Sequence, residues 1–251
     1  MKTIGLIGRS LKHSASQAYF EEKLQKEGIR DWSYHLFELS SIEELPDLLA
    51  AHPDLVGFNV TFPYKEHILP YLDALDDTAK QIGAVNVVTV QHQDGKFYLT
   101  GHNSDAAGFA QTLDGISLPS RALLLGTGGA ARAVAFALHQ KGVSCQLVSR
   151  SGKASAIRYQ DVDETLLSAH RLIVNCTPLG TAGLHEEEIP PLPYHALTQE
   201  HRLYDLVYNP AVTPFLRQGL AHRCQLQNGL AMLHAQADIA WKIFSKDLSV
   251  N

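Results

Sequence analysis

The chain has 251 residues, long enough for one large domain or two modest ones, because domains cluster around roughly 100–150 residues. Hydrophobic residues make up 45% and charged residues 19%, with no low-complexity tract, so the composition is that of an ordinary globular protein and two lobes are expected. A formal net charge of −5 leaves no overall positive field to gather nucleic acid or an anionic membrane, so the expected partner is a small molecule.

In chain order, "KTIGLIG" reads as a strand, "SQAYFEEKLQKEG" has helical spacing and stops at Gly28, and "WSYHLFEL" is strand-like again. "SIEELPDLLAAH" begins with a serine and acids that suit a helix N-terminus, with Pro46 marking its first turn or a kink. "FNVTFP" is the next strand, and the β-α-β-α-β rhythm predicts a mainly parallel sheet whose binding residues gather at strand carboxyl ends. "AVNVVTVQ" and "KFYLTGHN" flank "HQDG", whose Asp94-Gly95 signals a hairpin, expected at the edge of the sheet. "SDAAGFAQTL" reads as a helix, and a lobe boundary is expected near residue 104. From Arg121 a second series begins with "ALLLGTGGAARAVAFALHQKG" and continues through "SCQLVSR", "RLIVNCTP" and "RLYDLVYNP". Last, "NGLAMLHAQADIAWKIF" has helical spacing through Leu230, Leu233, Ala237 and Ile239 or Ala240.

Cys145, Cys176 and Cys224 lie far apart with no C-x-x-C spacing, and the 13 histidines never form H-E-x-x-H, so neither a disulfide framework nor a metal site is expected. "MKTIGLIGRS" is too short an apolar stretch for a signal peptide, and no run approaches the ~20 residues of a membrane span. The expectation is a cytoplasmic protein.

"LLLGTGGAAR" puts Gly126, Gly128 and Ala131 in a G-x-G-x-x-A pattern between an apolar strand and a helix. Those positions supply a tight turn, room for backbone to approach a pyrophosphate, and close helix-to-strand packing. At the end of the next strand, where an acid would receive the ribose 2′-hydroxyl of NAD, the chain reads "VSRSGK". Ser149, Arg150, Ser151 and Lys153 offer hydroxyls and cations there and no carboxylate, which favours NADP. The fold expected is therefore α/β and two-lobed. An N-terminal α/β substrate domain with a mainly parallel sheet covers residues 1–104, helix 229–251 packs back on it, and a Rossmann NADP-binding domain covers residues 105–228.

"FNVTFPYK" ends a strand with an amide, a hydroxyl and an ammonium. If Phe58, Val60 and Phe62 face the core, Asn59 and Thr61 face the other side, and Pro63 opens a helix with Lys65 in its first turn. A cation there opposes the helix dipole, which ordinary surface design avoids. "HSAS" adds Ser14 and Ser16, "GAVNVV" adds Asn86, and "GHNSDAAGF" adds Asp105 at a helix start. Each has a bland alternative as a cap or strand polar residue, but together they make a hydroxyl-rich site.

These motifs, with "GTGGAARA", "SRS", "NCTPLG", "DLVYNP" and "GLAMLHAQA", run nearly end to end in the order and spacing of the shikimate dehydrogenase family, which the chain resembles. The resemblance implies reversible reduction of 3-dehydroshikimate to shikimate with NADPH, in the chorismate route to aromatic amino acids, by a monomer or homodimer. It implies that Lys65 and Asp105 are the catalytic pair. Ser14, Ser16, Asn59, Thr61, Asn86, Tyr208 and Gln236 match positions that hold the substrate. Gly126, Thr127, Gly128, Gly129 and Ala130 match the pyrophosphate turn, and Ser149, Arg150, Ser151 and Lys153 the 2′-phosphate loop. Asn175, Thr177, Leu206 and Gly229 match positions around ribose and nicotinamide.

The chain departs from the family pattern in places. Ser10 stands where the family usually has proline, and Ser16-Gln17 and Tyr19-Phe20 stand where it has S-P and then H-N. In the phosphate loop Ser149 and Ser151 replace Asn and Thr, and Ala154 falls where a second base is usual, with Lys153 beside it. Alternatives of other kinds are a quinate-using or NAD-using paralogue, a catalytically silent NADP sensor, and a folate-type dehydrogenase. The Ser14 and Ser16 pair suits a polyhydroxy acid better than a pteridine.

Overall fold

The computed structural model describes residues 1–12, 14–93, 95–152 and 155–246. Asp94 of the hairpin signal and Lys153 of the expected phosphate loop lie outside the described residues. The chain divides into two compact units: Met1–Gly108 with the segment from His234 onward, and Phe109–Leu233. Both divisions fall inside helices, so no Pro/Gly-rich linker marks them.

The first unit contains β1 (Lys2–Gly8), α1 (Ser16–Lys26), β2 (Trp32–Glu38), α2 (Leu45–Ala51), β3 (Leu55–Val60), α3 (Tyr64–His67), β4 (Ala74–Leu75), α4 (Asp77–Ile82), β5 (Val87–Gln93), β6 (Lys96–His102) and the start of α5 (Asp105–Gln111). Its sheet runs in the order β2-β1-β3-β5-β6-β4. The β1–β2, β1–β3 and β4–β6 pairings are parallel, while β5 is antiparallel to β3 and β6. The β5–β6 hairpin is therefore not the edge. β5 pairs inward with β3 and β6 takes β4 on its outer side, a two-residue strand too short to show any periodicity. Ser41 and Glu44 cap a short 3-10 turn that runs into α2, and Pro46 sits in the first turn of that helix, where its missing N–H costs nothing.

Both faces of this sheet are covered, which is why its central strands read as near-continuous apolar runs. Phe58 and Val60 pack with Leu45, Leu49, Tyr64 and Ile68 on one face. On the other, Ile4, Leu6, Phe20, Tyr34 and Val87 pack with Ala237, Ala240 and Phe244 of α9 (Leu230–Lys246). Lys23 bridges Glu27 and Asp238, and Trp32 meets Trp241 edge-on, so the last helix is tied to α1 and β2 as well. Phe62 does not join the core. β3 ends at Val60, two residues earlier than the alternation suggests, and Phe62 is 73% exposed where the chain turns into α3.

The second unit contains β7 (Arg121–Leu125), α6 (Gly129–Gln140), β8 (Ser144–Ser149), β9 (Ile157–Arg158), α7 (Glu164–Ala169), β10 (Leu172–Asn175), β11 (Arg202–Asp205), α8 (Pro214–Ala221) and β12 (Gln225–Gln227). All its pairings are parallel, in the order β12-β11-β10-β7-β8-β9. Counted within the unit this is the doubly wound Rossmann order, with its switch point between β7 and β10, where ligands bind beyond the strand carboxyl ends.

Candidate active site

In the first unit the expected polar residues meet in one hydrogen-bonded network. Lys65, in the single turn α3, donates from Nζ to Asp105 Oδ2 at 2.6 Å, with the two side chains 19% and 7% exposed. Asp105 opens α5, whose first turn is held by Asn103: its Oδ1 accepts from Ala106 N–H at 3.1 Å while its Nδ2 donates to the Ala84 carbonyl. The other carboxylate oxygen of Asp105 accepts from Asn86 Nδ2 at 3.0 Å. Asn86 cannot flip, because its own Oδ1 accepts from Ser104 N–H at 2.7 Å. Its Nδ2 also lies 2.9 Å from Ser104 Oγ and 3.3 Å from Gln236 Oε1, so three acceptors share two protons.

Gln236 arrives from α9. It reaches this cluster because Gly108 on α5 lets the two helices touch: a Cβ there would lie 2.8 Å from Gln236 backbone N. On the far side of Asn86, Asn59 Nδ2 donates to the Asn86 carbonyl at 3.3 Å and Asn59 Oδ1 accepts from Tyr34 OH at 3.0 Å. Burial raises the Tyr34 phenol well above its ordinary value, and the Ser16 hydroxyl, bonded to it, pulls the other way. Ser14 joins through Ser16, whose N–H donates to Ser14 Oγ at 3.2 Å, so Ser14 also holds the entry to α1. Thr61 follows β3 and stays registered on β1, its N–H donating to the Ile7 carbonyl at 2.9 Å. Gly8 makes room for it, since a Cβ there would lie 2.6 Å from Thr61 Cγ2.

Ser16, Asn59, Asn86, Asp105, Lys65 and Gln236 are thus brought together, with Ser14 joined through Ser16, while Thr61 is held against β1 and makes no side-chain hydrogen bond to the cluster among the described residues. Tyr34 and Ser104 belong to the same network and are not among the residues the motifs single out. Ser104 could have been found as the neighbour of Asp105, and Tyr34 as the polar-tipped inward position of β2. Tyr208 lies in the second unit, after β11.

In the second unit Gly126 turns the chain at the end of β7 with φ +115°, a conformation that favours glycine, and Gly128 stands before α6 with nothing within 4 Å of a built Cβ. No side chain caps α6, so the N–H groups of its first turn, with Thr127, Gly129 and Ala130 around them, are available to an anion. This open glycine turn at an uncapped helix fits a dinucleotide pyrophosphate. At the end of β8, Gly152 N–H donates to Ser149 Oγ at 3.0 Å, closing a turn with exposed Arg150 and Ser151 at its tip.

Asn175, at the end of β10, is fully buried. Its Nδ2 donates to Asp205 Oδ1 at 2.9 Å and its Oδ1 accepts from Thr177 N–H and Oγ1–H at 3.1 and 2.6 Å. Its amide therefore shapes the turn that presents Thr177. Leu206 and Gly229 lie against each other, since a Cβ on Gly229 would fall 2.0 Å from the Leu206 carbonyl oxygen. Asp205 is buried, and desolvation pushes its carboxyl up to about 7 against the opposing pull of Thr213, Val207 N–H and Asn175. Among the described residues no cluster of His, Cys, Asp or Glu could hold a metal ion, and no helix is long and apolar enough to cross a membrane.

Residues 6–88 match the family model described as the shikimate dehydrogenase substrate binding domain. The shikimate dehydrogenase (NADP(+)) of Carboxydothermus hydrogenoformans is 35% identical over 96% of this chain and 90% of its own length. The crystal structure of shikimate 5-dehydrogenase from Thermus thermophilus in complex with NADP(H) and shikimate superposes with a TM-score of 0.83 at 33% identity, covering 98% of this chain and 94% of that one. Quinate dehydrogenase from Corynebacterium glutamicum in complex with NAD also superposes, with a TM-score of 0.82 at 29% identity over 97% of this chain and 93% of that one. With relatives above 30% identity matched over nearly the whole chain, the chain belongs to the shikimate dehydrogenase family.

Proposed function

We propose that the chain catalyses the NADP-dependent, reversible reduction of 3-dehydroshikimate to shikimate, in the route to chorismate and the aromatic amino acids. The observation that carries this reading is the 2.6 Å Lys65–Asp105 pair, anchored through Asn86 to a cluster of amides and hydroxyls. Substrate binds in the first unit to Ser14, Ser16, Asn59, Thr61, Asn86 and Gln236. The second unit holds NADP, with pyrophosphate on the Gly126–Ala130 turn, the 2′-phosphate at Ser149, Arg150 and Ser151, and ribose and nicotinamide near Asn175, Thr177, Leu206 and Gly229. When bound, this cofactor supplies or accepts the hydride at the carbonyl carbon.

Lys65 then acts on the oxygen. Its ammonium stabilises the negative charge that grows there and delivers the proton that completes the hydroxyl. Asp105 aims the ammonium, and Asn86 aims Asp105. In the oxidative direction the Lys65–Asp105 pair takes the hydroxyl proton. The amides and hydroxyls around them hold the remaining substrate oxygens, fixing the reacting carbon relative to Lys65. Every residue assigned comes from one chain, so a monomer or homodimer suffices, and the three free thiols suit a reducing cytoplasm.

Steady-state rates with the four pairings of NADP+ or NAD+ with shikimate or quinate test the proposal. The expected order puts NADP+ with shikimate first by kcat/KM. A preference for NAD+ with quinate would move the chain to the paralogous activity, and no turnover with any pairing would make it a silent binding protein.

A further inference from the structure

β9 is a strand of two residues, and it places a second guanidinium beside the loop that follows β8. In the parallel β8–β9 ladder Arg158 is paired with Ser149, so the two residues lie side by side at the carboxyl end of the sheet. The turn after β8 folds back toward that neighbour. Gly152 takes φ +67°, and a Cβ built on it would lie 3.1 Å from Arg158 Cγ and 3.4 Å from its Nε. The aliphatic stem of Arg158 therefore lies along Gly152, with the guanidinium next to the turn that carries Arg150. Burial pushes the phenol of Tyr159, the next residue along, up to about 12, and Arg150 is close enough for its charge to pull the other way.

The rest of the local chemistry is that of an anion site. Residues 149–158 contain no Asp or Glu. Asp161, the next carboxylate along the chain, accepts from the backbone N–H of Arg158 at 3.2 Å. Ser149 Oγ already accepts from Gly152 N–H, which leaves its proton to donate outward. A phosphate dianion at the tip of this turn meets one guanidinium from the turn itself and another from the neighbouring strand.

We propose that Arg158 is a specificity-determining residue for NADP over NAD: with Arg150 it forms a two-guanidinium clamp on the 2′-phosphate, the second cation coming from β9 rather than from the loop after β8. This rests on the proposed cofactor reading. The clamp acts only on the phosphate that distinguishes the two dinucleotides, so its loss alters discrimination and leaves the shared part of the cofactor untouched.

Equilibrium binding tests it without turnover. Calorimetric titrations of wild type, Arg158→Ala and Arg158→Lys are run with NADP+, NAD+ and adenosine 2′,5′-bisphosphate, at low and high salt. Arg158→Ala is expected to weaken NADP+ and the bisphosphate roughly tenfold, the size of one charge-assisted contact at an exposed site, with NAD+ within about twofold. The loss should shrink in high salt, and Arg158→Lys should recover part of it by restoring the charge without the fork. Equal weakening of NADP+ and NAD+ would make Arg158 a support for the turn and overturn the clamp, as would no weakening at all. A wild type that binds neither dinucleotide would instead overturn the cofactor reading, a result distinct from either.

Discussion

Asp105→Asn isolates the charge of the carboxylate proposed to aim Lys65 while keeping its shape. Wild-type Asp105 receives two donors, Lys65 Nζ on one oxygen at 2.6 Å and Asn86 Nδ2 on the other at 3.0 Å. An amide has one acceptor oxygen, so in the variant one of those donors meets an NH2 group. The bare attraction of unit charges at the 2.6 Å separation of this pair is about 6 kcal/mol at an effective dielectric near 20. Desolvation of the carboxylate, 7% exposed, offsets much of that. What survives is the ~1.5–3 kcal/mol of a hydrogen bond to a charged group. If that orientation is needed only in the transition state, kcat falls roughly 10- to 150-fold while KM moves a few-fold. The assay is initial-rate kinetics with shikimate and NADP+ for wild type, Asp105→Asn, Lys65→Ala and the double variant. Because the pair acts as a unit, the double variant should be little worse than Lys65→Ala alone. A kcat for Asp105→Asn within about twofold of wild type, or losses that simply multiply in the double variant, would refute the reasoning.

Lys65→Ala alone removes the proposed proton donor and should lower kcat by ~10²–10⁴ with KM within a few-fold. The reverse pattern in the same kinetic comparison, KM raised and kcat intact, would recast Lys65 as a substrate carboxylate anchor. Asp205 makes stability depend on pH, because its folded carboxyl is raised to about 7 from 3.8. Between roughly pH 4 and 7 the unfolded chain loses this proton while the folded chain keeps it, so stability declines as pH rises, by up to ~4 kcal/mol, and levels off above about pH 7. Asp205→Asn can keep the local bonds, with Oδ1 accepting from Asn175 and Val207 and Nδ2 donating to Thr213, and urea unfolding at a series of pH values should show that part of the slope gone. An unchanged slope in the variant would mean that Asp205 is ionised throughout.

The sequence exposes those parts whose chemistry and periodicity coincide. The glycine turn at Gly126 and Gly128 is legible because a strand, a bend and a helix start follow in quick succession and allow few other residue types. β1, β2, β3 and the β5–β6 hairpin are legible from their length. β4, β9 and β12, of two, two and three residues, exist only because a longer neighbour offers an unpaired edge, so no local pattern marks them. α8 goes unpredicted although its cap is present in "TP": Thr213 Oγ1 accepts from Leu216 N–H and Pro214 opens the helix. Its companion α7, capped by Asp163, is only six residues long and carries too little apolar spacing to stand out. Phe62 misleads because strict alternation says where a strand could continue and not where it stops. Arg158 is invisible for a related reason, since its meaning lies in its register with Ser149 across a two-residue strand that no local pattern marks.

The polarity of the site follows from which amide oxygens the protein occupies itself. Tyr34 OH is bonded to Asn59 Oδ1, Ser104 N–H to Asn86 Oδ1, and both Asn86 Nδ2 and Ser104 Oγ–H to Gln236 Oε1. With their carbonyl oxygens facing protein donors, these amides have chiefly N–H groups left to offer, and Asn86 spends both of its own on Asp105, Ser104 and Gln236. If substrate binds there as proposed, a site so arranged favours acceptor oxygens, carboxylate and hydroxyl alike. An analogue lacking one of those oxygens leaves a buried donor unpaired, a penalty of ~1–3 kcal/mol that a mere gap in an apolar pocket imposes less strictly. On the proposed reading, Tyr34 and Ser104 set selectivity without touching the ligand, because their donors fix which way the Asn59 and Asn86 amides are turned.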